Sequence, residues 1–130
     1  MAEFSDKTTG DIAFQPGFLP ELEALRIEYN RPIFVTDGCR SDAQVEYLIQ
    51  RGYAASKNSF HLMKNKKYST KTCALDMARP NAIDLHRFLG IALARGWTVG
   101  IGFTFLHIDL RGLFASPAMS TIVYSYQSKK

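Results

Sequence analysis

The chain has no apolar run near the roughly eighteen residues that a membrane-crossing helix requires, and it has no repeat or low-complexity tract. Its first residues, Met1-Ala2-Glu3-Phe4-Ser5-Asp6-Lys7, lack a basic stretch followed by apolar residues. No signal peptide is therefore expected, and synthesis in the cytoplasm is. Two cysteines, Cys39 and Cys73, are too few for a disulfide scaffold and do not form a Cys-x-x-Cys metal pair. Free thiols are the default expectation, with a single bridge left open. What remains is an ordinary globular composition, 46% hydrophobic and 22% charged over 130 residues, the size of one domain. Sixteen Lys and Arg against twelve Asp and Glu give a net charge of +4. That balance excludes an acidic tail and implies a mild attraction to anions; nucleic-acid binding would need the charge gathered on one face.

Residues 1–15 are mixed and predict a loose lead-in. Leu19, Leu22 and Leu25 predict a helix from Pro20 to Tyr29, and Ile33 to Thr36 a short buried strand before a turn at Asp37-Gly38. Ser41-Asp42-Ala43-Gln44 has the form of a capping box and starts a helix to Arg51, stopped by Gly52. Residues 53–72 form a long polar loop. Cys73 to Ala78 predicts a strand, and Asn81 caps a helix ending at Gly96. Three β-prone stretches follow, Trp97–Ile101, Phe103–Leu110 and Ser120–Tyr126. This order predicts an α+β domain on a small, mostly antiparallel sheet flanked by helices.

Only three histidines exist, His61, His86 and His107. On a strand, His107 and Asp109 share a face and are flanked by Leu106, Ile108 and Leu110. Such a pair needs a mutual hydrogen bond or a metal, because unpaired buried polar groups are costly; the tripeptide alone leaves both open. Two His and one Asp would leave a zinc ion a fourth position for water, but His61, Asp76 and His107 come from three segments whose spacing selects nothing. His86, beside Arg87, reads as a surface residue. Cys39 reads as a buried thiol, and Phe103, Phe105, Tyr124 and Tyr126 as sheet packing.

Four pieces in order, Ile33-Phe34-Val35-Thr36-Asp37-Gly38-Cys39-Arg40-Ser41, Asn58-Ser59-Phe60-His61, Ala74-Leu75-Asp76 and Gly100-Ile101-Gly102 with Phe105-Leu106-His107-Ile108-Asp109, resemble a known group. This is the zinc D-alanyl-D-alanine carboxypeptidase family, peptidoglycan peptidases of the Hedgehog/DD-peptidase fold. The resemblance implies one zinc ion per chain held by His61, Asp76 and His107. It also implies that Arg40 contacts substrate and stabilises the oxyanion, with Ser59 as a further substrate contact. Two departures stand out. His61 and Asp76 are fifteen apart, where the motif His-x-x-Gly-x-Ala-x-Asp places them seven apart, which implies an insertion within Leu62 to Cys73. The acid or His expected just before the last ligand is replaced by Thr104 and Phe105, which leaves Asp109 as the nearest acid, either a proton acceptor or an orienter of His107.

The resemblance implies a zinc metallopeptidase, a D,D- or L,D-type carboxypeptidase or endopeptidase. Its partner would be a peptidoglycan peptide with a D-amino acid at or next to the cleaved bond. A phage endolysin-like monomer acting on the wall after lysis is one setting, and a host enzyme acting on cytoplasmic muropeptides is another. Two further readings stay open: a non-catalytic zinc-containing wall-binding module, and a small basic nucleic-acid-binding domain. The charge has an address. Lys64, Lys66, Lys67 and Lys71 lie between His61 and Asp76 with no acid among residues 61–75. This 62–72 loop therefore carries the whole net charge, either for solubility or to draw an anionic polymer to the cleft.

Overall fold

In the computed structural model, which describes residues 2–53, 55–116, 119 and 121–126, helices and short strands form an α+β domain. The helices are α1 (Phe18–Tyr29), α2 (Asp42–Gln50), α3 (Ala82–Ala94) and the short α4 (Arg111–Phe114). The strands are β1 (Val35–Asp37), β2 (Ala74–Ala78), β3 (Thr98–Ile101), β4 (Phe105–Asp109) and β5 (Val123–Ser125). Met1 and Ser120, parts of the expected lead-in and last strand, lie outside the described residues.

Local chemistry sets the helix ends. Ser41 Oγ accepts the Gln44 N–H and Asn81 Oδ1 accepts the Asp84 N–H, satisfying donors that the first turn leaves orphaned. Gly52 and Gly96, with φ of 82° and 86°, take the left-handed conformation that stops α2 and α3. The capping box at Ser41 is only half formed. Gln44 accepts the Thr8 hydroxyl instead of turning back to Ser41, whose N–H is taken by Asp6.

The sheet order is β1-β2-β4-β3-β5. Its first three pairings are antiparallel, but β5 returns alongside β3 in parallel, so the sheet is mixed rather than simply antiparallel. The parallel return needs the crossover through α4 and the segment after it. Alternation along the strands divides the sheet into two faces. Leu75, Met77, Val99, Leu106 and Ile108 point into one core with Phe18, Leu25, Tyr29, Phe88, Ala92 and Trp97 from α1, α3 and the turn after α3. Phe18 meets Trp97 edge-on at 5.6 Å and Tyr29 meets Phe88 at 5.0 Å, which locks α1 against α3 and the turn that follows it. The other face carries polar rows and is where the site forms.

The lead-in expected to be loose is tied down. Phe4 and Phe14 pack against the core, Cys39 N–H donates to Phe4 O, and Gln15 N–H donates to Thr72 O. Gly38 is required here, because a Cβ would lie 2.6 Å from Phe4 O. Asp6 is buried and accepts from Thr8 N, Thr9 N, Ser41 N and Ser41 Oγ. Burial alone would raise its pKa, but the N–H groups of Ser41 and Thr9 outweigh that and hold the carboxyl below its usual value.

The long loop is also ordered. Asn65 pairs with Thr70 in a bridge, and buried Asn65 donates to Asn58 O and Ser59 O while accepting Tyr68 N–H. Residues 62–71 thus leave and return at one point, and Thr72 Oγ1 donates to His61 O at 2.8 Å. The segment closes on itself beside His61, which it follows. All four loop lysines are exposed.

Asp6 therefore fastens the lead-in to the start of α2, next to the segment that carries Arg40. Replacing it with Ala should cost about 1–3 kcal/mol of stability by leaving the partly buried Ser41 N–H unpaired. Chemical denaturation of D6A checks this; an unchanged midpoint would remove Asp6 from the account.

Candidate metal centre

One cross-strand row carries most of the site. In register across the sheet stand Asp37 on β1, Asp76 on β2, His107 on β4, Gly100 on β3 and Tyr124 on β5. Residues so paired share a face and lie within side-chain reach of their neighbours. His61 enters from above the row. Its backbone is held by Arg40 N–H on its carbonyl, by Thr72 Oγ1 on the same oxygen, and by its own N–H on Ser59 Oγ.

The side chains converge. His61 Nε2 lies 3.0 Å from Asp76 Oδ1 and 3.2 Å from His107 Nδ1, and His107 Nδ1 lies 3.2 Å from Asp76 Oδ1. All three residues are buried, and their ligand atoms fall within 4.8 Å of one another. The outer nitrogens decide the tautomers. His61 Nδ1 faces Gly38 O at 2.7 Å, so it carries the hydrogen and Nε2 presents a lone pair. His107 Nε2 faces Asp109 Oδ2 at 2.7 Å, so it too carries the hydrogen and Nδ1 presents a lone pair. Two lone pairs and a carboxylate oxygen therefore point at one place.

Three acceptors cannot satisfy one another; they need a shared cation, whether protons or a metal. Bonds of about 2.0–2.1 Å to a tetrahedral ion set neighbouring donor atoms roughly 3.3 Å apart, close to the observed triangle. The donor set therefore fits a divalent metal ion. The electrostatics agree. Burial opposes a charge on His107, but the hydrogen bonds to Asp109 and Asp76 outweigh it and carry the ring up to about 10. Burial likewise works against Asp76, yet the His61 and His107 rings keep its carboxyl well below the usual range. The pocket calls for positive charge.

Asp109 sits behind His107. It is fully buried and also accepts from Arg111, through Nε at 2.9 Å and Nη2 at 2.6 Å. Burial would raise its pKa, but His107 and Arg111 hold it at about 2, so it stays an acceptor. This is the carboxylate–histidine arrangement that fixes the tautomer of a metal-binding imidazole. Among the sequence-nominated residues, Asp109 is thus placed at the ring nitrogen remote from the three converging atoms, and it does not line the cavity there.

That cavity, about 730 Å³, opens over the three atoms. Arg40 and Ser59 both line it. Arg40 donates through Nε at 3.0 Å and Nη2 at 2.7 Å to a single oxygen of Asp37, and Nη2 also lies 3.4 Å from Asp76 Oδ2. The guanidinium is thereby pinned beside the converging ligands. His86 is exposed on α3, away from them. Cys39 and Cys73 are buried free thiols; burial raises both, Cys73 up to about 12, which makes them poor nucleophiles.

Asp37, Arg111, Tyr124 and Tyr126 line the cavity although the sequence alone gave none of them a place in a site. Tyr124 and Tyr126, read as packing, line the cavity with their hydroxyls 3.4 Å apart. Gly100 makes room for this. A Cβ there would lie 2.5 Å from Tyr124 Cζ, so the ring crosses over the glycine towards His107, 6.4 Å away between centroids. Gly102 accommodates Phe105 in the same way. Arg111 stacks its guanidinium over Phe60 at 4.9 Å while holding Asp109. The Gly100-Ile101-Gly102 spacing was the only local hint of these rings.

Comparison of the chain with protein-family models, with curated proteins and with solved structures returns no match.

Asp109→Asn removes the charge that fixes the His107 tautomer. Its affinity for Zn²⁺, measured by competition with a chromophoric chelator, should fall about 10–100-fold. An unchanged affinity would mean that His107 does not ligate through Nδ1.

Proposed function

We propose that the chain is a zinc-dependent peptidase that hydrolyses stem peptides or cross-links of bacterial peptidoglycan, with a D-amino acid at or next to the cleaved bond. The observation that carries this is the convergence of His61 Nε2, Asp76 Oδ1 and His107 Nδ1 at the floor of an open cavity with Arg40 beside them. Two imidazoles and one carboxylate suit zinc and leave a coordination position free for chemistry. Zinc held there would supply a Lewis acid beside the scissile carbonyl and make water acidic enough to yield hydroxide near neutral pH.

The protein's own groups do the rest. Arg40, steadied by Asp37, offers a guanidinium to the carbonyl oxygen as negative charge develops on it. Ser59 holds the His61 backbone and faces the same space as the substrate. Tyr124, Tyr126, Phe105 and Phe60 provide apolar walls with phenol donors, suited to small side chains such as that of alanine. Burial, the neighbouring Tyr124 hydroxyl and the Asp76 charge push the Tyr126 phenol up, so it remains a donor.

The likeness to the zinc D-alanyl-D-alanine carboxypeptidases, with their Hedgehog/DD-peptidase fold, rests on the four motifs in order and on the meeting of their three ligands. The self-closed 62–71 excursion supports it too, because Thr72 returns to His61 and the longer spacing does not displace the ligands. A phage endolysin-like monomer released onto the wall, or an enzyme of cytoplasmic muropeptides, would use this site equally. The exposed loop lysines would draw an anionic wall polymer towards it. A non-catalytic wall-binding module is the second reading, favoured by Thr104 and Phe105 where an acid is expected.

Zinc-loaded protein incubated with purified peptidoglycan and muropeptides should release new peptide termini. His61→Ala and Asp76→Ala should abolish that release while leaving the fold intact by circular dichroism. Tight zinc binding without cleavage of any bond would give the chain to the module reading.

A further inference from the structure

We propose that Arg111 sets the specificity of this site by receiving the free terminal carboxylate of the substrate, so that the bond cut is the last one of a stem peptide. The assignment rests on the peptidase reading above and narrows it. The chain is then a carboxypeptidase, and a bond inside a cross-link is a poor substrate.

Four charged side chains other than histidine line the cavity among the described residues: Arg40, Arg111, Asp37 and Asp76. The two arginines differ in what they have left to give. Arg40 Nη2 faces Asp37 at 2.7 Å and Asp76 at 3.4 Å, so its charge is shared between two carboxylates of the cavity itself. Arg111 has its partner outside the cavity. Asp109 is fully buried, does not line the space, and takes Nε and Nη2 of the guanidinium. Nη1 takes no part in that grip and is not sealed away as a buried atom. The cavity therefore meets a guanidinium that still has donors to offer.

The group is also held still. Its carbon lies 4.9 Å from the centre of the Phe60 ring and 5.9 Å from that of Tyr124, and both rings line the cavity. Two aromatic rings and a buried carboxylate pre-organise the fork, so little side-chain freedom is lost when it binds an anion. The Tyr124 hydroxyl, paired at 3.4 Å with that of Tyr126, adds O–H groups to the same wall.

The position suits a leaving group of one residue. Asp109 Oδ2 links Arg111 Nη2, at 2.6 Å, to His107 Nε2, at 2.7 Å. The guanidinium thus stands no farther from the imidazole than those two contacts laid end to end. Successive Cα atoms of a peptide are about 3.8 Å apart, so a terminal carboxylate lies only one residue beyond the scissile carbonyl. With that carbonyl at the three converging atoms, the carboxylate is within reach of Arg111. A chain that continues further brings a neutral amide there instead, which gives the guanidinium no counter-charge. Water splits the last peptide bond, its oxygen going to the acyl carbon and a proton to the nitrogen of the released amino acid.

The test compares stem peptides that carry a free terminal carboxylate with the same peptides as terminal amides, cleaved by the zinc-loaded full chain. In the wild type kcat/KM should fall about 10–100-fold on amidation, mainly through KM. In Arg111→Gln the free acid should lose the same factor and the preference for it should vanish, with zinc content unchanged. Arg111→Lys keeps the charge without the fork; it should retain part of the preference, and it carries the test if the Gln variant does not fold. A purely structural role, acting through Asp109 and His107, would slow both peptides equally and leave their ratio intact. That result, or a wild type that cuts amides or cross-links as fast as free termini, would overturn the assignment. A zinc-loaded wild type that cleaves no peptide of either kind would instead overturn the peptidase reading.

Discussion

Three acceptors that face one another across about 3 Å are the constraint on which the rest of this structure depends. His61 Nε2, Asp76 Oδ1 and His107 Nδ1 are forced together because each imidazole has its other nitrogen committed, to Gly38 O and to Asp109. Arg40, 3.4 Å from Asp76 Oδ2, offsets part of the carboxylate's charge, but the two imidazole lone pairs and Oδ1 still face one another, and a cation among them relieves that repulsion. The rise of His107 to about 10 is the same demand expressed as a proton. A site that must be filled by positive charge, at the bottom of an open cavity, is suited to a metal ion and to a substrate that approaches it.

Holding the acceptors together takes contributions from across the chain. The two-faced sheet sets apolar rows under α1 and α3 and gives the opposite face to the row from Asp37 to Tyr124. Gly100 leaves the gap over which Tyr124 reaches towards His107. The lead-in buttresses Gly38, whose carbonyl orients His61, through Phe4, and Asp6 secures the neighbouring Ser41. The basic excursion contributes by closing: Asn65 and Thr70 pair, and Thr72 comes back onto the His61 carbonyl. A segment that separates His61 from Asp76 along the chain becomes a clamp on His61.

What could be read from the sequence was what is decided locally. The helix ends at Ser41, Gly52, Asn81 and Gly96 follow from caps and left-handed glycines within a turn. The shared face of His107 and Asp109 follows from the period of a strand. Features decided by distant partners were not legible. Asp6 meets Ser41 across 35 positions, so the lead-in looked loose, and β5 joins β3 in parallel only through the fold. The meeting of His61 with Asp76 and His107 could not come from spacing, and motif order had to stand in for geometry. Asp37 was hidden most thoroughly. Alternation from Val35 assigns it to the core, and only a bulge, which leaves no sequence mark, turns it to the cavity.

The central claim is that these three atoms hold a metal ion, and metal content tests it most directly. Protein purified without chelators and analysed by inductively coupled plasma mass spectrometry should carry one zinc per chain, lost when His107 is replaced by Ala. A chain that neither retains zinc nor takes it up tightly on addition, while folded, would contradict the account at its foundation.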